Sequence, residues 1–169
     1  ILLIEDNPGD RRLTEIALEE AGHDAGIHCR VVSVGTLAQG VRSLIEEEPA
    51  IDAVLLDLGL PDSSGLDGLR ALRGVNPSAA VIVLTGLSDG AIATEALNAG
   101  ASDYIEKSDI QPRTLLRAIR YSIERKRGEA ELMRLASTDS LTGLLNRRAF
   151  FEQLEGALIQ ARRSELACA

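Results

Sequence analysis

Five short apolar runs alternate with five helical patterns along this chain, and that alternation predicts an α/β protein. The expected architecture is a doubly wound, five-stranded parallel sheet with helices on both faces and a C-terminal helical extension. Two further observations support it. The runs are continuous, as in Val54-Leu55-Leu56, which suits strands buried on both faces. Each run also breaks into charged or turn residues before apolar residues recur at spacings of three and four.

The first strand is Ile1 to Ile4, ending in Glu5-Asp6. After Asn7-Pro8-Gly9, Leu13, Ile16, Ala17 and Ala21 lie at helical spacing, and Gly22 is the expected stop. A second strand spans about Cys29 to Val34. Thr36 then caps a helix carrying Leu37, Val41, Leu44 and Ile45. The third strand, Ala53 to Leu56, runs into Asp57 and the turn residues that follow it. A helix with Leu66, Leu69 and Leu72 comes next. The fourth strand, Ala80 to Leu84, ends in Thr85-Gly86. Its helix covers about Asp89 to Ala99, with Gly100 as the stop. Tyr104-Ile105 form a short fifth strand near Lys107, and Pro112 opens the last helix with Leu115, Leu116, Ile119 and Ile123.

That helix has no clear end. Leu116, Ile119, Ile123, Lys126, Ala130, Met133 and Ser137 alternate spacings of three and four, the pattern of a two-helix seam weakened by Lys126 and Ser137. Gly128 is the expected bend. Arg117, Arg120, Arg125, Lys126 and Arg127 form its polar face. From Thr138 a turn-rich segment leads to Asn146, which would cap a helix bearing Phe150, Leu154, Leu158 and Ala161. Residues 138–169 are too few to bury a core alone. The expected divisions are therefore residues 1–127, a helical linker over 128–137, and the opening of a second domain over 138–169.

The composition of the 169 residues is ordinary for a globular protein, with 45% hydrophobic and 26% charged residues. Only 2% are aromatic, so Leu, Ile, Val and Ala must build the core. A net charge of −8 argues against a nucleic-acid partner. No stretch is long and apolar enough to span a membrane, and no signal peptide is visible. Cys29 and Cys168 match no metal spacing and read as free thiols in a reducing cytosol. Because the chain begins directly on a strand without Met, it reads as part of a longer sequence.

Strand ends in such a sheet bring Glu5, Asp6, Asp57, Thr85 and Lys107 to one edge, where open α/β sheets place their crevices. Converging carboxylates repel and raise one another's pKa values unless a cation intervenes. A hard ion such as Mg²⁺ suits them. An ammonium and a hydroxyl opposite would complete a cradle for a tetrahedral anion, and phosphoryl transfer needs little beyond positioning and charge neutralisation.

With Glu5-Asp6-Asn7, Leu56-Asp57-Leu58-Gly59-Leu60-Pro61, Leu84-Thr85-Gly86 and Tyr104-Ile105-Glu106-Lys107 in this order, the chain to about Arg127 resembles a response-regulator receiver domain. The resemblance implies a flavodoxin-like strand order 2-1-3-4-5. It makes Asp57 the acceptor of a phosphoryl group from the phosphohistidine of a sensor histidine kinase or phosphotransfer protein. Asp6 and Asp57 would hold Mg²⁺, with Glu5 positioning it and the Gly59 carbonyl adding a ligand. Lys107 would pair with the phosphoryl group, the Thr85 hydroxyl would bond to it, and Tyr104 would be the switch aromatic. Glu5 replaces a commoner Asp. Gly86 replaces a commoner Ala, which opens the site and predicts a labile acyl phosphate.

Asp139-Ser140-Leu141-Thr142-Gly143-Leu144-Leu145-Asn146-Arg147-Arg148-Ala149-Phe150 is similar to the opening motif of a GGDEF diguanylate cyclase domain. That implies cyclic di-GMP signalling in a cytoplasmic, homodimeric response regulator. Dimerisation would run through the receiver face, the linker helix or both. The fragment itself lacks the cyclase active site. The alternative is a phosphorylation-gated docking module with a degenerate GGDEF scaffold.

Overall fold

The computed structural model describes residues 1–46, 50–86, 90–139, 141–151 and 153–155. Two compact units emerge, Ile1–Arg127 and Gly128–Ala169. In the first, β1 (Leu2–Ile4), β2 (Val32–Val34), β3 (Ala53–Asp57), β4 (Ala80–Thr85) and β5 (Asp103–Glu106) form one sheet. All four pairings are parallel and the order is β2-β1-β3-β4-β5. The helices between them are α1 (Pro8–Ala25), α2 (Leu37–Glu46), α3 (Asp67–Val75) and α4 (Gly90–Asn98), and α5 (Pro112–Ser137) follows β5.

Strand side chains alternate between faces, and the core divides accordingly. Leu2, Ile4, Val54, Leu56, Val81 and Val83 pack with Leu69, Leu72 and Ala96 of α3 and α4. Leu3, Leu55, Ile82, Leu84 and Ile105 pack with Leu18 of α1 and Leu115 and Ile119 of α5. β1, β3 and β4 are buried throughout, which explains their unbroken apolar runs.

Several expected boundaries move. The first helix does not stop at Gly22. It continues to Ala25, and Gly26 ends it in the left-handed region at φ 63°. Gly22 instead allows close packing, because a Cβ there would lie 2.8 Å from the Ile27 carbonyl oxygen. The second strand is shorter than expected and begins at Val32. The expected Asp89 start of α4 lies outside the described residues. Gly100 does follow that helix, at φ 98°.

The last helix is continuous through Gly128. Its seam pattern also has two different uses. Ile119 is buried and Ile123 packs against the core, whereas Met133 is 74% exposed. Within the second unit, Thr138 and Leu145 form an antiparallel bridge. The Asp139 carboxylate accepts from the Leu141 and Thr142 amides and the Thr142 hydroxyl. The Asn146 side chain accepts from the Ala149 amide at 3.0 Å, the expected cap, and 147–151 are helical. Leu158, Ala161 and Cys168 lie outside the described residues. Among the described residues no helix is long and apolar enough to cross a membrane.

Candidate functional site

Period-two alternation carries the α1/α5 face of the sheet beyond the strand ends. Glu5 stands two residues after Leu3, Asp57 two after Leu55, and Lys107 two after Ile105. Their charged groups meet. The Lys107 ammonium lies 2.7 Å from Glu5 Oε2 and 3.0 Å from Asp57 Oδ1. The other Asp57 oxygen, Oδ2, accepts from the Gly59 amide at 3.0 Å. Glu5 is fully buried and Asp57 is 7% exposed, whereas Asp6 is exposed. One carboxylate oxygen from each of the three lies within 4.8 Å of the others. A compact all-oxygen donor set of this kind suits a hard divalent cation.

Burial pushes the Glu5 carboxyl above the usual carboxylate range, and Asp57 adds to the rise against the opposing Lys107 hydrogen bond. Burial alone would lower the Lys107 ammonium. Hydrogen bonds to Asp10, Glu5 and Asp57 outweigh it, so Lys107 is held above its ordinary value and stays charged.

Thr85 ends β4 and is buried. It follows Val83 by two residues and so continues the opposite face of the sheet, toward α3 and α4. Tyr104 stands in register with Val83, and Thr85 with Glu106. Tyr104 is 37% exposed and lines a surface cavity of about 510 Å³ with Thr114, Arg117 and Tyr121. Glu5, Asp57 and Lys107 thus continue one face of the sheet, while Thr85 continues the other. Gly86 is exposed, and a Cβ added there meets nothing within 4 Å.

Three contributors escaped the sequence reading. Asp10 holds the third donor of Lys107 at 2.8 Å. The Arg11 guanidinium donates to the Glu5 carbonyl through Nε at 3.0 Å and Nη2 at 2.7 Å. Asp62 accepts from the Leu37 and Ala38 amides, both at 2.9 Å, and so ties the loop after Asp57 to the start of α2. Asp10 and Arg11 carried one available signal. The Asn7 cap and Pro8 place both in the first turn of α1, beside the end of β1. Asp62 carried none, because its partners are 25 and 24 residues away.

A family model described as the response regulator receiver domain matches residues 1–120. The transcriptional regulatory protein KdpE of Mycobacterium tuberculosis (strain ATCC 25618 / H37Rv) is 38% identical over 143 residues, covering 84% of this chain and 59% of KdpE. The transcriptional regulatory protein AfsQ1 of Streptomyces coelicolor is 32% identical over 166 residues, covering 98% of this chain and 68% of AfsQ1. A crystal structure of a response regulator receiver domain protein from Clostridium thermocellum aligns with a TM-score of 0.64 at 32% identity. It covers 75% of this chain and 94% of that one. The chain belongs to the response regulator receiver domain family. It spans only part of the length of KdpE, so these matches define the receiver rather than a whole regulator.

Proposed function

We propose that Asp57 accepts a phosphoryl group from the phosphohistidine of a histidine kinase or phosphotransfer protein, and that its phosphorylation controls a C-terminal output. The observation carrying this reading is the Asp57 carboxylate, fixed between Lys107 and the Gly59 amide beside Glu5 and Asp6. One Asp57 oxygen forms a bond to phosphorus as the phosphorus–nitrogen bond of the donor breaks, and the electron pair returns to the imidazole. Glu5, Asp6, Asp57 and the Gly59 carbonyl would hold Mg²⁺, which when bound neutralises charge on the phosphoryl oxygens. Lys107 supplies a fixed positive charge from the other side. The buried Thr85 hydroxyl offers a donor at the end of the adjacent strand, and Tyr104 would report its position at the surface.

The output reading rests on the resemblance of residues 139–150 to a GGDEF opening. It divides the chain into a receiver over 1–127, a linker over 128–137 and a GGDEF start over 138–169. The full-length protein would be a cytoplasmic, homodimeric diguanylate cyclase governed through α5. A second reading has its own support, because KdpE and AfsQ1 are named as transcriptional regulators. An output that binds DNA would extend the partners beyond the kinase.

Intact-protein mass after treatment with acetyl phosphate and Mg²⁺ tests the receiver chemistry. One phosphate adduct is expected on the wild type and none on Asp57→Asn. An unmodified wild type under these conditions would count against the reading. For the output, the phosphorylated full-length protein incubated with GTP should form cyclic di-GMP. No product together with sequence-selective DNA retention would favour the second reading. No product and no retention would favour a docking module.

A further inference from the structure

Arg11 reaches the main chain of two residues of the carboxylate cluster, and among the described residues it forms no ion pair with a carboxylate. Among the described residues, every hydrogen bond of its guanidinium goes to a main-chain carbonyl. The Glu5 oxygen receives two, and the Asp6 oxygen receives a longer one at 3.5 Å. These carbonyls belong to the two residues that follow β1, which carry two of the three clustered carboxylates. Space for this arrangement comes from another element. Gly35, between β2 and α2, lacks a Cβ that would otherwise lie 3.2 Å from Arg11 Nη2. The Glu5 amide donates to the Val34 carbonyl at 3.0 Å, so the Glu5 main chain is held at both its amide and its carbonyl.

We propose that Arg11 is a positioning residue for the divalent-cation site, acting through the Glu5 and Asp6 main chain. The inference rests on the receiver reading above and adds a residue to it. Physically, the guanidinium satisfies carbonyls that would otherwise sit half-buried without strong donors. It thereby fixes the direction in which the Glu5 and Asp6 side chains leave the chain. Outer partners of this kind hold metal ligands in their binding geometry before the ion arrives.

Two physical roles for Arg11 predict opposite signs. If Arg11 contributed only its charge, its removal would make the pocket more negative and Mg²⁺ binding tighter. If it positions the ligands, its removal weakens binding despite the lost positive charge. Calorimetric titration of Mg²⁺ into the whole chain and its Arg11→Met variant separates them, since Met keeps the apolar stem. We expect the dissociation constant to rise about tenfold, the lower end of the effect of removing such a partner. Gly35→Ala leaves the charge unchanged while crowding the guanidinium, and it should shift the constant in the same direction by less.

Labelling by acetyl phosphate gives an independent readout. In Arg11→Met, the Mg²⁺ concentration for half-maximal labelling should rise, while the rate at saturating Mg²⁺ stays within about twofold of wild type. A folded Arg11→Met variant with unchanged or tighter Mg²⁺ binding would overturn the proposal. If Arg11→Met does not fold, unchanged Mg²⁺ binding by Gly35→Ala would do the same. A wild type that neither binds Mg²⁺ nor forms an adduct would overturn the receiver reading itself, a distinguishable result.

Discussion

At the residue scale, two shifted carboxyls, Asp62 and Glu5, respond to pH in opposite ways. Asp62 is held below the usual range by the Ala38 and Leu37 amides. Folding therefore favours its ionised form. This contribution is complete above the unfolded value of 3.8 and fades as pH falls through the lower folded one. Asp62→Ala should lose about 0.5–1 kcal/mol at neutral pH, the value of an exposed helix cap. Urea melts of both proteins at neutral and acid pH should show the difference shrinking toward about pH 3. Glu5 runs the other way. Its folded value lies above 4.5, so its contribution to stability declines as pH rises from 4.5 through that raised value. A cation in the pocket would compete with that proton. Saturating Mg²⁺ should raise the melting temperature more at about pH 8 than at about pH 5, and a chelator should remove the gain.

At the scale of elements, close packing decides which substitutions the scaffold tolerates. Gly40 of α2 sits on Ile4 of β1, and a Cβ there would collide with the Ile4 side chain. Gly40→Ala should cost about 1–3 kcal/mol by overpacking, read from the denaturation midpoint. Gly86 is the opposite case, since an added methyl meets open space. Gly86→Ala should change stability by less than about 0.5 kcal/mol. It should also lengthen the life of the acyl phosphate by narrowing water's access, measured as decay of the mass adduct. An unchanged decay rate would detach the expected lability from Gly86.

For the whole molecule, α5 is where the receiver and its output are expected to communicate. Its first half is committed to the core through Leu115, Ala118 and Ile119. Beyond Gly128, Leu132, Met133 and Leu135 are 60–74% exposed. A phosphoryl group shifts a two-state equilibrium only if it binds one state more tightly than the other. In the proposed dimer, the exposed stripe would carry that bias. Replacing Ala130 and Met133 with Glu should leave Asp57 labelling intact and abolish its effect on full-length output. Retained coupling in that variant would remove the helix from the mechanism.

The sequence alone determined the parallel fold, because a strand buried on both faces must be apolar at every position and its end must break into polar residues. Glu5, Asp57 and Lys107 were legible for the same reason, each falling where an apolar run stops. Only the tertiary structure decided what surrounds them. Gly22 read as the helix stop, yet α1 runs through it, with the Ile27 carbonyl packed where a Cβ would sit, and ends at Gly26. The seam on α5 had one period throughout, but the sheet covers only its first half. Asp10 and Arg11 showed only their place in the first turn of α1 and Asp62 nothing, because their partners lie on other elements or on the main chain. A side chain's hydrogen-bond partner across a fold leaves no spacing in the sequence, whereas its burial leaves a period.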